Sequence, residues 1–185
     1  MQNNSLTTRL PLLKTLSLVG ILLILGLLVI FKLQVANAES GGDAKSLVER
    51  SLEVWNKGNM ALVDELYASN FKLHLLTRDN VDREGTEAYK EHVNFLRTAY
   101  PDMKFESDEL IVSDDKVIML VNFTGTNTGP RGDVPPTGKN VEVSIVIITR
   151  IDDGKIAEEW WYENMTSVFR QLGFTITITP PSAEE

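Results

Sequence analysis

The spacing of apolar residues changes along this chain, and that change limits the folds open to it. Up to Tyr67, and again from Gly85 to Tyr100, apolar side chains recur every three or four positions; beyond Pro101 they alternate one by one. Ala44, Leu47, Val48, Leu52 and Trp55 make a helical stripe, with Asp43 placed as its N-cap and Gly58 as its end. Asn59 can cap a second short helix that turns Leu62, Val63, Leu66 and Tyr67 inward. Phe71, Leu73 and Leu75 alternate with Lys72, His74 and Leu76, which predicts a strand, and Thr77–Glu84 reads as a charged loop. Gly85-Thr86 opens a third helix with Tyr89, Val93, Leu96 and Tyr100 on one face, and Pro101 stops it.

Downstream, Met103–Val112, Lys116–Thr128, Val141–Ile151 and Lys155–Glu163 read as strands. They are separated by the turns Asp114-Asp115 and Asp152-Asp153-Gly154 and by a loop over Gly129–Gly138. A short helix over Met165–Leu172 and an edge strand over Phe174–Thr179 close the chain. Helices first and antiparallel strands after is the α+β arrangement. A curved sheet wrapped round a helix would enclose a pocket read by every second strand residue.

The first forty residues differ from the rest. Arg9 and Lys14 precede the uncharged run Thr15–Phe31, and Lys32 and Val35-Ala36-Asn37-Ala38 follow it. A basic flank, an apolar run and a small-x-small site form the layout of a secretory signal peptide. At 17 residues the run also reaches the lower limit of about 17 for a membrane span. Two readings therefore stand, a signal peptide cleaved after Ala38 or an uncleaved anchor, and both place the rest outside the cytoplasm. The domains expected are 1–38 as signal peptide or anchor, 39–43 as linker, 44–174 as the folded domain and 175–185 as a tail. Beyond residue 38 there are 15 basic and 26 acidic residues, a net charge of −11. Such a surface repels phosphate backbones and anionic headgroups, so nucleic acid is not an expected partner and any membrane contact falls to the N-terminal segment. Cysteine is absent, which excludes disulfides, thiolate metal sites and thiol nucleophiles.

The segment Phe123–Lys139 carries F-T-G-T-N-T-G and, after an insert, P-P-T-G-K. Further on come D-G-K-I at 153–156, E-E-W at 158–160 and R-Q-L-G at 170–173. W-N-K-G-N at 55–59 and Tyr100-Pro101-Asp102 precede them. This order and spacing over residues 45–174 resembles the SnoaL-like polyketide cyclase (ester cyclase) family of the nuclear transport factor 2-like superfamily. The resemblance implies a cone-shaped fold, three helices packed on a curved and mostly antiparallel sheet around an apolar cavity. Here an N-terminal apolar helix would precede it. It also implies a homodimer, a small-molecule ligand, and aldol-type ring closure with neither metal nor cofactor. The family's acid/base aspartate falls on Asn164, counting four residues on from Trp160 and seven back from Gln171. An amide has no proton to exchange near neutral pH, so Asn164 can hold an oxygen without shuttling protons. The histidine of the family's T-H-x-G is replaced by Asn127.

The candidate site residues follow from strand parity. Glu158, Trp160, Tyr162 and Asn164 share one face of the last strand, and Asn122, Thr124 and Thr126 share one face of a middle strand. With that face inward, Glu158 or His74 is the candidate base, Asn164 and Tyr162 are polarising donors, and Trp160, Tyr162, Asn122, Thr124 and Thr126 are the ligand contacts. Packing and strand propensity explain the same aromatic and threonine residues without a ligand, and a single bulge would exchange Glu158 for Glu159. His92, between Glu91 and Val93 in the third helix, is expected at the solvent. Two histidines without a carboxylate cluster at ligand spacing give no metal site. Arg131-Gly132-Asp133 spells an adhesion tripeptide of a length that chance often supplies. Three functions remain open: an exported acid/base enzyme acting on a partly apolar carbonyl compound, a non-catalytic ligand-binding module, and a dimerisation or scaffold domain.

Overall fold

The computed structural model describes residues 18–76 and 81–177. The chain divides into two units, one ending at Ala38 and one beginning at Glu39. Helix α1 runs Leu18–Lys57. It therefore takes in residues 39–43, expected as a linker, and Asp43 is not its N-cap. Proline is absent from the segment, and the pair Gly41-Gly42 weakens a helix without forbidding it. In the first unit the side chains from Leu22 to Phe31 are exposed. Among the described residues no helix is long and apolar enough to cross a membrane; the start of the apolar run, Thr15–Ser17, lies outside them.

In the second unit α1 buries Val48 and Trp55 of the expected stripe together with Ser51 and Val54, while Ala44, Leu47 and Leu52 pack half-buried against the core. Gly58, with φ +68°, ends the helix. Helix α2 (Ala61–Leu66) turns Val63 and Leu66 inward. The remaining elements are β1 (Tyr67–Leu75), β2 (Val81–Glu84), α3 (Thr86–Ala99), β3 (Lys104–Ser113), β4 (Lys116–Thr126), β5 (Asn140–Asp152), β6 (Lys155–Glu163) and α4 (Met165–Gln171). They form one curved sheet of order β2-β1-β6-β5-β4-β3. Every neighbouring pair is antiparallel except β1 and β6, which run parallel. This α+β arrangement, with three helices and a curved, mostly antiparallel sheet, is the expected fold.

Two segments depart from the sequence reading. Residues 81–84, expected within a loop, pair with β1 as an edge strand, Leu73 opposite Arg83 and His74 opposite Asp82. The charged side chains hid a strand because its outward face meets water. Residues 174–177 carry no strand; the rest of the expected edge strand lies outside the described residues.

The core fills the space between helices and sheet. Trp55 is its hub, with ring centroids 5.6 Å from Tyr89, 5.2 Å from Phe105 and 5.0 Å from Trp161. On β4 the inward set is Val117, Met119, Val121, Phe123 and Gly125. A bulge then decides the parity of β6. Ile156 pairs with Ile151 and Glu158 with Arg150, leaving Ala157 as the extra residue. Ile156 and Ala157 are both buried, and beyond them Glu159 and Trp161 face the core while Glu158, Trp160 and Tyr162 do not.

Candidate functional site

The residues singled out from strand parity occupy the outer face of the sheet. Tyr162 is 48% exposed. Asn122 donates to Glu142 (3.2 Å), and Thr126 bonds the Asp102 carboxylate through its N–H (2.7 Å) and hydroxyl (2.6 Å). Thr124 lies half-buried on the same side. Asn164 is the N-cap of α4, its Oδ1 accepting from the Ser167 N–H at 3.0 Å. The inward parity expected for Glu158, Trp160, Tyr162, Asn122, Thr124 and Thr126 is thus corrected: on β6 by the extra residue at Ala157, on β4 because the apolar alternate residues claim the core.

His74, Glu158 and Trp160 do come together, on that outer face. The His74 ring lies 2.8 Å from Asp82 Oδ1 through Nδ1 and 2.8 Å from Glu158 Oε1 through Nε2. It stacks on Trp160 with centroids 5.3 Å apart, and Arg150 Nε donates to Glu158 Oε2 at 3.1 Å. Asp82, His74, Glu158 and Arg150 form a polar ladder across four strands. Burial lowers the His74 pKa, yet its bonds to Glu158 and Asp82 outweigh this and leave it above 6.5. For Glu158 burial works upward, and the bonds to His74 and Arg150 bring the net shift below 4.5. His74, with its pKa raised on folding, contributes stability that is complete below pH 6.5 and lost as pH rises through the shifted value. Glu158, with its pKa depressed, contributes stability that is complete above pH 4.5 and lost in acid. His74→Gln should therefore destabilise the fold more at pH 5.5 than at pH 9. Thermal unfolding at the two values checks this, and an equal loss at both would mean the ring acts by packing alone.

The cavity is built on the other face. Its apolar walls are Phe105, Phe123, Ile145, Trp161 and Val168, and four polar side chains reach it: His92, Tyr100, Arg131 and Glu163. Its volume is about 40 Å³, room for about three waters. Each polar group arrives by a different route. Glu163 ends β6 on the inward parity that the bulge created. Tyr100 closes α3, its N–H bonded to the Leu96 carbonyl at 2.8 Å. Arg131 comes from the loop between β4 and β5. His92 is only 7% exposed, which corrects the expected solvent position. It shares the face of α3 that carries Tyr89 and Val93, and that helical spacing was the signal in the sequence that placed it inside.

Electrostatics sort these groups. Burial raises the Glu163 pKa, with Arg131 opposing. Burial, then the charges of Arg83 and Arg131, lowers the His92 pKa from 6.5 to about 3, so its ring is neutral at physiological pH. Burial also raises the Tyr100 pKa. The cavity therefore holds a carboxyl biased toward taking a proton, a neutral imidazole, a phenol and a guanidinium. Behind the Trp161 wall lies a second buried carboxyl, Glu159, which accepts from Trp161 Nε1 at 2.9 Å. Burial raises its pKa to about 7. Among the described residues no group of three or more His, Asp or Glu is placed to hold a metal.

The histidine position of the T-H-x-G pattern is structural here. Asn127 is fully buried and ties down the loop that follows. It donates to the Ala99 (3.2 Å) and Gly129 (2.8 Å) carbonyls and accepts from the Thr137 N–H (2.9 Å) and hydroxyl (3.0 Å).

The family described as SnoaL-like polyketide cyclase matches residues 45–172. TsrD of Streptomyces laurentii superposes with a TM-score of 0.64 at 23% identity, covering 71% of this chain and 96% of its own. A candidate polyketide cyclase of Acidithiobacillus ferrooxidans is 29% identical with a TM-score of 0.62, covering 70% and 94%. Another from Bacillus cereus is 27% identical with a TM-score of 0.60, covering 71% and 80%. No curated protein matches the sequence.

Proposed function

This chain belongs to the SnoaL-like polyketide cyclase family, and on that premise we propose that its cavity binds a small, partly apolar carbonyl compound and moves a proton at the carbon beside the carbonyl, without a cofactor. The observation that carries this reading is Glu163, a carboxyl of raised pKa facing the cavity beside a phenol and a neutral imidazole. The family's acid/base position falls one residue later, on Asn164, whose side chain is spent on capping α4. Glu163 then takes that role. Its carboxylate removes a proton from the α-carbon, and the electron pair moves onto the carbonyl oxygen. Tyr100 and His92 hold that oxygen by hydrogen bonds, and the proton returns from Glu163 to the same or a neighbouring carbon. A base works best with a pKa near the working pH, and burial moves Glu163 in that direction.

The test is exchange of α-protons into D₂O, followed by NMR, for 2-butanone, cyclohexanone and 2-oxobutanoate. At least one should exchange faster with the protein than in buffer, and Glu163→Gln should slow that exchange about 10²-fold. This is the low end for a lost acid/base group, because Tyr100 and His92 still polarise the carbonyl. Equal exchange by the parent and the variant would remove Glu163 from the chemistry.

A dimerisation or scaffold domain is the second reading. The small cavity favours it, together with Ile118, Val146 and Tyr162 exposed on the outer sheet face. That reading expects no exchange with any of the three ketones and a dimer mass in native mass spectrometry. A monomer that catalyses exchange would remove it.

A further inference from the structure

We propose that the compound handled in this cavity carries a carboxylate, and that Arg131 receives it. The inference rests on the carbonyl chemistry proposed for the same cavity and adds the class of its substrate, an oxo acid.

Arg131 is held in place before any ligand arrives. Asn127 anchors the loop at its start. Gly129 packs so closely on the backbone of Thr98 that no side chain fits there. Arg131 and Val134 then close a backbone bridge with bonds of 2.9 and 3.2 Å. The guanidinium lies 6.0 Å from the centre of the Phe95 ring and 5.6 Å from that of Phe169. Aromatic faces support a cation but offer it no acceptor.

Among the described residues Arg131 forms no ion pair, and its one side-chain bond runs from Nη2 to the Met165 sulfur at 3.7 Å. Its Nε is buried without a partner. The same holds for His92 Nδ1 and Tyr100 Oη on the cavity wall, and for Arg83 Nε, whose charge acts on His92. Each of these atoms can donate. A partly desolvated guanidinium without a carboxylate is costly, and the second unit is rich in acids, so its lack of a partner is not for want of carboxylates. The one carboxyl in the cavity, Glu163, makes no ion pair with Arg131, so several donors there stay unmet and an anionic ligand would bring acceptors to them. A guanidinium fork matches a planar carboxylate with two parallel hydrogen bonds. With the carboxylate on Arg131, an adjacent oxo group can meet Tyr100 and His92, and the next carbon can meet Glu163.

The test uses the full chain and two probes that differ in the acid group, 2-oxobutanoate and 2-butanone. The reporter is the Trp161 indole N–H resonance, because Trp161 lines the cavity and donates to Glu159. The acid should shift this resonance saturably. Arg131→Gln should weaken the acid at least tenfold while leaving 2-butanone unchanged, and Arg131→Lys, which keeps the charge and loses the fork, should fall between. Equal affinity of the acid for the parent and Arg131→Gln overturns the proposal, as does no response to the acid in either. The exchange assay separates this outcome from the catalytic reading. Arg131-dependent binding without exchange leaves the anion site standing and removes the chemistry. Exchange of 2-butanone with no binding of the acid does the reverse.

Discussion

Replacing His92 by Phe is expected to leave stability at pH 8 undiminished and to spare the fold about 5 kcal/mol of acid destabilisation between pH 6.5 and pH 3. The ring is buried among Trp55, Phe95 and the cavity wall, and its pKa falls to about 3. Over that interval the unfolded chain binds a proton that the folded chain refuses. Stability is therefore complete above pH 6.5 and drains away as pH falls. At about 1.36 kcal/mol per pH step, the gap from 6.5 to about 3 gives the quoted figure. Phe keeps the aromatic contacts and removes both the titrating group and the unpartnered Nδ1. Urea unfolding of the two proteins at half-unit pH steps measures the difference directly. Parallel curves from pH 8 to pH 3 would show that the imidazole is hydrated in solution.

Glu159→Gln should act in the opposite direction, raising stability by about 3 kcal/mol at pH 8 and by nothing at pH 4. Glu159 is 2% exposed, and burial lifts its pKa from 4.5 to about 7 against hydrogen bonds from Trp161 and Tyr67. The folded state here holds the proton that the unfolded state releases. Stability is complete below pH 4.5, falls as pH rises to about 7, and is level beyond. The gap from 4.5 to about 7 at about 1.36 kcal/mol per pH step sets the size. Gln can still accept from the indole of Trp161 and offer an N–H to Tyr67. Tyr67, with its hydroxyl 2.5 Å from that of Tyr89, and Trp55, donating to Tyr89 at 2.9 Å, continue the buried polar chain. If Gln were less stable than Glu at pH 8, the carboxylate would have to be ionised and well solvated by its neighbours. The two groups have opposite slopes between pH 4.5 and 6.5 and offset each other there, so only the single variants expose each contribution.

Much of the fold was legible because it rests on local spacing. The stripes around Trp55 and Tyr89 gave helices, alternation gave β3 to β6, and Gly58, Pro101 and Asp153-Gly154 ended elements where backbone geometry required it. The motif order from Trp55 to Gly173 carried the family. The site was less legible. Strand parity puts Glu158, Trp160 and Tyr162 on one face, but one extra residue at Ala157 reverses every later side chain and turns that face outward. His92 was misplaced by its charged neighbours although its helical position pointed inward.

The sequence by itself determined most of the helices and strands, β2 excepted, and the family they compose, because periodicity and turn chemistry act over a few residues. Only the tertiary structure decided which face of β6 is the inner one, that Glu163 rather than Asn164 looks into the cavity, and that Arg131 reaches it from the loop between β4 and β5. Those outcomes depend on strand register, on a bulge and on how Asn127 ties its loop to the end of α3. Such contacts join residues far apart in the chain, and no local pattern encodes them.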